Sequence, residues 1–422
     1  MLSDKRPLAL FEFGSWGHIP NYLRLIFEYW NRHEELGILH AVVGRELVDN
    51  HPAVFESLNI GANERIRISK ITAEEEKVVR RFNVMERGPE YAASETSNKY
   101  LFMWSLIQSH LAKIDPHHSL FLTLDDLMLP LCGGLRSATD FSGIFFRPFF
   151  QYQDAWAEAA PSVGHLRALP GRLLLNRFLR HPQLKYTFCI DETVADTIGD
   201  KVPCQLVYLP DPVRIPARNV TPEEVHKLRQ ELGIPAGNRV FLFFGDITER
   251  KGLWNLFDAI SKLSGSDCAQ MCVAIVGKAG AGTEARLSRE ISELSARPPV
   301  SFVRRPEYVS EDELKRWIAA SDVILAPYNK HVGMSGVLLL AAAHARPVIS
   351  QEYGLMGNLT CAHGLGQICD PADPVSLAEA LKKFLSGEPG NLWDKQRSME
   401  FARSHSHEKF AETLFATLFP SR

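Results

Sequence analysis

Gly333, Ser335 and Gly336 lie in a loop of small residues between the hydrophobic run at 322–328 (DVILAPY) and the apolar stretch at 337–343 (VLLLAAA). The run reads as a buried parallel strand, the stretch as a helix opening at Ser335 and Gly336, and Pro347 as the start of the next strand. A helix start leaves amide N–H groups without partners and carries partial positive charge, so bare backbone there can approach a phosphate. A second chemical group stands near the N-terminus, where Gly14, Gly17 and His18 follow the apolar run at 8–13 (LALFEF). Imidazole titrates near neutrality and can take a hydroxyl proton; a loop histidine satisfied by backbone groups is the plainer account. Asp125 and Asp126 close the run at 119–124 (SLFLTL). Either carboxylate could orient an acceptor or serve as base, and a helix N-cap explains one of them equally well.

These residues need strands and helices to hold them. Strands are expected at 8–13, 36–43, 119–124, 142–146 and 186–190, with a helix at 21–30 whose Leu23, Ile26, Phe27 and Trp30 share one face. In the second half, apolar runs at 240–245 (VFLFFG), 271–277 (MCVAIVG) and 300–303 (VSFV) alternate with helical segments. Strands alternating with helices imply parallel sheets with right-handed crossovers. A proline-rich stretch between about 205 and 222 marks a hinge. A length of 422 residues suits two compact units.

The ordered series from 205 to 385 resembles the nucleotide-sugar half of GT-B glycosyltransferases, most closely family 4, the group 1 enzymes. It runs through LPDPV at 209–213, Gly245 with DITERKG at 246–252, Gly277 and Lys278, YVSEDEL at 308–314, the 333–336 loop and DPADP at 370–374. The resemblance implies an α/β chain of two facing Rossmann-like domains with a cleft between them. The first domain would span 1–214 and take the acceptor, the second 215–395 and take the nucleotide sugar, and a helix from about 396 to 422 would pack back on the first. It also implies that Lys251 binds phosphate; a surface lysine at a helix start is the alternative. Ser335 and Gly336 would hold the diphosphate by backbone amides. Arg250, Gly245, Gly277, Lys278, Tyr308, Gly333, Gly14 and Gly17 complete the donor-side candidates, with His18, Asp125 and Asp126 on the catalytic side. Residues 14–20 (GSWGHIP) are similar to the Gly-His-x-x-Pro pattern of family 1 glycosyltransferases, where histidine is the base of an inverting reaction, although Pro20 is here two residues after His18.

Three departures from the family pattern bear on chemistry. The usual arginine after the strand glycine is Asp246. The two glutamates usually found eight apart fall at Val332 and Leu340, which cannot accept hydroxyl hydrogen bonds. Arg304 and Arg305 could restore the lost positive charge, and Glu352 is the nearest alternative carboxylate. Arg147 is a further polar candidate without a role.

Charge and composition narrow the partners. Lys plus Arg number 47 against 50 Asp plus Glu, which argues against nucleic acid reached through bulk charge. The seven cysteines include no CxxC pair, and buried thiols are expected in place of a metal site. No signal core opens the chain and no apolar run approaches the roughly 20 residues that span a bilayer, so the chain reads as cytoplasmic. Residues 165–181 carry four arginines among leucines, the pattern of a helix that could lie on an anionic membrane or pack as core. Together these imply a metal-independent transferase with no cofactor beyond its nucleotide-sugar substrate, acting on a hydroxyl of a glycan or lipid-linked saccharide, with retention favoured. An inactive glycosyltransferase-like scaffold and a nucleotide-sugar epimerase of the same architecture are the alternatives.

Overall fold

A computed structural model describes residues 6–15, 17–56, 65–81, 93–146, 175–194, 202–218, 220–296, 300–387 and 392–420. The chain divides into two units, one of residues 1–212 with 407–422 and the other of residues 213–406.

The first unit holds a seven-stranded sheet in the order β3-β2-β1-β4-β5-β6-β7. Its strands are β1 (Leu8–Glu12), β2 (Leu39–Val43), β3 (Ile66–Lys70), β4 (His118–Phe121), β5 (Phe141–Phe145), β6 (Leu184–Cys189) and β7 (Gln205–Tyr208). All pairings are parallel, with Leu10 registered against Ala41 on one side and Leu120 on the other. Alternate β1 residues feed the two faces: Leu8 and Leu10 enter one core, Ala9 and Phe11 the other. Leu23, Ile26, Phe27 and Trp30 of the helix Ile19–Arg32 are buried against the Leu10 side.

The second unit holds a six-stranded parallel sheet in the order β10-β9-β8-β11-β12-β13. It contains β8 (Arg239–Phe244), β9 (Met271–Val276), β10 (Ser301–Arg305), β11 (Val323–Ala326), β12 (Val348–Gln351) and β13 (Gly366–Cys369). Every residue of β9 is buried, as expected of a strand covered on both faces.

The C-terminal segment divides in a way the sequence reading did not anticipate. A return to the first unit from about 396 was expected, but the helix Lys395–Ser404 belongs to the second unit, where Phe401 and Ala402 join the core of the helix Gly336–Ala343. The first unit regains the chain at His407. The helix His407–Leu418 then places Phe410 at 4.8 Å from Tyr22 and Phe415 at 5.4 Å from Trp30, ring centre to ring centre.

Of the arginine–leucine segment at 165–181, residues 165–174 lie outside the described residues, as does Arg147. Leu175, Phe178 and Leu179 are buried in the first unit's core, so those side chains are not offered to a lipid surface. Among the described residues, no helix is long and apolar enough to cross a membrane.

Candidate functional site

In an open parallel sheet, ligands favour the carboxyl ends of the strands where the strand order reverses. That point lies between β8 and β11 in the second unit, and between β1 and β4 in the first.

In the second unit the reversal is built around glycines. Gly245 ends β8 with φ +97°, and a Cβ there would sit 2.2 Å from Lys251 Nζ. The lysine therefore runs back over bare backbone and donates to the Phe244 carbonyl at 3.1 Å. Gly252 (φ +75°) lets the next helix, Leu253–Ile260, start against Pro327 at the end of β11. Beyond Pro327 the Tyr328 ring is buried, with Lys251 Nζ 5.7 Å and the Arg250 guanidinium carbon 5.4 Å from its centre. Cations over an aromatic face are attracted by its quadrupole. Ser335 Oγ donates to the Tyr328 hydroxyl at 3.1 Å and accepts the Val337 N–H at 3.3 Å, capping the helix Gly336–Ala343. The sequence thus brings Gly245, Arg250, Lys251, Ser335 and Gly336 together about one ring. Tyr328 was not singled out from the sequence.

The remaining donor-side candidates distribute unevenly. Gly277 meets this cluster, because a Cβ on it would lie 2.1 Å from the Gly245 carbonyl oxygen, and the Lys278 carbonyl accepts from Ile247 N at 3.0 Å. Lys278 itself points to solvent. Tyr308, 89% exposed, follows the edge strand β10, two strands away from β8. Arg304 is held bidentate by Glu284 (both contacts 2.9 Å), and Arg305 pairs with Glu307 at 2.8 Å and Glu313 at 2.9 Å. These two arginines are neutralised locally and do not stand in for the cation lost at Asp246. The Arg304 guanidinium holds the Glu284 carboxyl below its usual range.

Gly333 sits in a loop whose upstream end is clamped. Gln351, wholly buried at the end of β12, accepts the His331 N–H at 2.9 Å and donates to the carbonyls of His331 and Tyr353. Leu355 N–H reaches the Val332 carbonyl at 3.2 Å, and Gly354 (φ +67°) has no room for a Cβ beside the His331 carbonyl, 2.9 Å away. The imidazole of His331 lies 3.4 Å by Nδ1 from Arg250 Nη1 and 3.2 Å by Nε2 from the Met334 carbonyl. Arg250 donates to Nδ1, so Nε2 is the protonated nitrogen in this arrangement. Glu352, next to Gln351, is exposed. A polar residue ending the apolar strand at 347–350 was the signal for Gln351.

In the first unit, Gly17 (φ +62°) makes the left-handed turn before His18, which is exposed at the start of the helix Ile19–Arg32 and lies 6.1 Å from Tyr22 between ring centres. Asp125 and Asp126 fall in a short 3-10 turn after β4, and Asp125 Oδ2 accepts the Phe146 N–H at 2.9 Å, a structural use of that carboxylate. The link between the two loops is a residue the sequence reading passed over. Glu12, 5% exposed, accepts Gly14 N–H on Oε1 and the Thr123 hydroxyl on Oε2, each at 2.7 Å. Burial pushes its carboxyl up to about 7, helped by the Asp126 charge, against the lowering effect of the Gly14, Thr123 and Phe13 hydrogen bonds. Glu12, Gly14, Thr123 and Asp126 line one small pocket whose other walls are apolar.

Comparison with known proteins follows this division. Residues 238–387 match the family model described as glycosyl transferases group 1. A D-inositol 3-phosphate glycosyltransferase of Nocardioides sp. is 29% identical over 200 residues, 45% of this chain and 43% of that protein, so the match spans less than half of that relative's length. Among solved structures, sucrose-phosphate synthase from Thermosynechococcus elongatus (TM-score 0.66, 15% identity) covers 98% of this chain and 99% of its own. HepE of Anabaena in complex with UDP does so over 98% and 99% (TM-score 0.63, 14% identity). With a parallel α/β sheet in each unit the chain has the GT-B fold, and residues 238–387 of its second unit are similar to the group 1 glycosyl transferases.

Proposed function

We propose that the chain is a glycosyltransferase that moves a sugar from a nucleotide-sugar donor to a hydroxyl of a glycan or lipid-linked saccharide, with retention and without a metal. The observation that carries this reading is the convergence of Lys251, Arg250 and the Ser335–Gly336 helix start on Tyr328, where the strand order of the second unit reverses. Breaking the bond to a diphosphate places growing negative charge on the leaving group. Fixed cations and backbone amides already oriented toward that charge stabilise it without reorganising. The cap engages the Val337 and Leu338 amides, so the anion-binding role falls to the amides of Ser335 and Gly336 themselves. UDP in the HepE complex supports a nucleotide donor. In this reading His18 and the Glu12–Thr123 pair serve the acceptor in the first unit.

Lys251→Ala is expected to weaken nucleoside diphosphate binding by about 1.5–3 kcal/mol, roughly 10- to 150-fold, as for a hydrogen bond to a charged group. Calorimetry on both proteins checks this, and equal affinities would remove Lys251 from the site. Turnover is expected to survive excess chelator, since side-chain charge and helix amides do the work a cation would otherwise do. Loss of activity with EDTA and recovery with magnesium would overturn that part of the mechanism. Val332 and Leu340 in place of carboxylates favour one other reading, a donor-binding scaffold without catalysis. Donor binding by the wild type without transfer to any acceptor would establish it.

A further inference from the structure

The first unit has a second concave region, at the end of its sheet opposite to the Glu12 loop. A cavity of about 390 Å³ lies where β1, β4, β6 and β7 begin, and His118, Tyr186 and Gln205 line it. Asp140, just before β5, Lys185 on β6 and Phe419, just past the helix His407–Leu418, complete the walls used here. The volume falls within the range of small-molecule sites, roughly 300–1,000 Å³. The cavity shares no lining residue with the pocket of Glu12 and Asp126.

Ser142, wholly buried on β5, accepts the Tyr186 N–H at 3.2 Å and lies 2.9 Å from His118 Nε2. Among the described residues its hydroxyl reaches no other acceptor, so it donates to Nε2 and leaves the imidazole proton on Nδ1. Burial, and then the neighbouring His117, push His118 down to about 4, so the ring is neutral near pH 7. Its Nδ1–H, the Tyr186 hydroxyl and the Gln205 amide meet no partner among the described residues. Lys185 and Asp140 pair at 3.0 Å, both half-exposed, and their charges cancel. The Phe419 ring stands 5.9 Å from that of His117 and gives the cavity an aromatic wall. A phosphate would find no excess of positive charge here, and an apolar ligand would cover the free donors and acceptors without pairing them. A sugar ring meets both conditions, because its hydroxyls each donate and accept while its C–H faces pack on aromatic rings. We propose that this cavity binds a neutral saccharide through His118, Tyr186 and Gln205, with Phe419 as the packing surface. The inference is independent of the donor chemistry proposed for the second unit.

Saturation-transfer NMR and calorimetry on the full chain test this with glucose, galactose, mannose, N-acetylglucosamine, maltose and cellobiose, and with glucuronate and glucosamine as charged counterparts. At least one neutral probe is expected to bind, at least threefold more tightly than either charged one. Gln205→Ala removes an exposed amide and Tyr186→Phe removes only a hydroxyl, so both variants should keep the wild-type melting temperature. Each should weaken binding of the neutral probe at least threefold. Absence of binding by every neutral probe overturns the inference. Binding that either variant leaves unchanged places the saccharide elsewhere and overturns it too, as does equal binding of the charged probes. Each of these results leaves the proposed function standing.

Discussion

Gly252→Ala is expected to cost the second unit about 2–5 kcal/mol of stability, the sum of roughly 1–2 kcal/mol for a left-handed L-residue and roughly 1–3 kcal/mol for overpacking. The residue has φ +75° and ψ 24°, and a Cβ would lie 1.8 Å from the Pro327 carbonyl oxygen and 2.9 Å from its carbon. Those atoms are backbone at the end of a central strand, so neither can yield as a side chain would. Gly237 is the control, because its φ is +81° but a Cβ there meets nothing within 4 Å. Alanine at 237 should cost only the conformational part. Urea unfolding of the two variants measures the difference, and equal costs would show that the close approach to Pro327 contributes nothing.

The close approach at Gly252 also shows why the second unit was the more legible half. Strands covered on both faces appear in sequence as unbroken apolar runs, and the runs containing β8, β9 and β11 each end in a short loop before a helix. Edge strands lack that signature. β3 reads IRISK with only Ile66 buried, and β7 reads QLVY with no residue buried, so neither stood out by hydrophobicity. The division of the C-terminus was hidden for a related reason. The helices Lys395–Ser404 and His407–Leu418 both carry apolar faces, and nothing local says that Phe401 packs in one unit and Phe410 in the other.

Legibility of the candidate site follows whether its geometry is made by backbone or by long-range side-chain contacts. Glycines announce themselves: Gly245, Gly252 and Gly277 stand at close approaches that only a missing Cβ allows. Lys251 was pointed to by the resemblance, which implies a lysine six residues after the strand-ending glycine, and its side chain folds back over Gly245. Arg304 and Arg305 look available in sequence, yet their partners include Glu284 and Glu313, on helices whose proximity the sequence does not declare. Gln351 and His331 are twenty positions apart and joined only once β11 and β12 lie side by side. The same holds for Glu12 and Thr123, which meet because β1 pairs with β4.

Glu12 provides the strongest test in the first unit. Its carboxyl is raised from 4.5 to about 7, first by burial and then by the Asp126 charge. Between those values the folded chain holds a proton that the unfolded chain has lost, so stability falls as pH rises from about 4.5 to 7 and levels off above. The shift of about 2.5 pH units corresponds to a loss of about 3 kcal/mol at 1.36 kcal/mol per unit. Glu12→Gln removes the titration while keeping the contacts, because an amide can accept the Gly14 N–H with its oxygen and donate to Thr123 Oγ with its nitrogen. The variant should therefore match the wild type within about 1 kcal/mol near pH 5, the scale of a net neutral hydrogen bond. At pH 8 and above it should exceed the wild type by about 2–3 kcal/mol, the cost of burying the ionised group having gone. Urea unfolding at pH 5, 6.5 and 8.5 gives the difference directly. A gap that does not widen with pH would mean that Glu12 ionises as readily in the folded protein as in the unfolded chain. A widening gap would identify it as a buried acid at the junction of the two loops that carry His18 and Asp126, where ionisation near neutral pH sets how firmly those loops are tied.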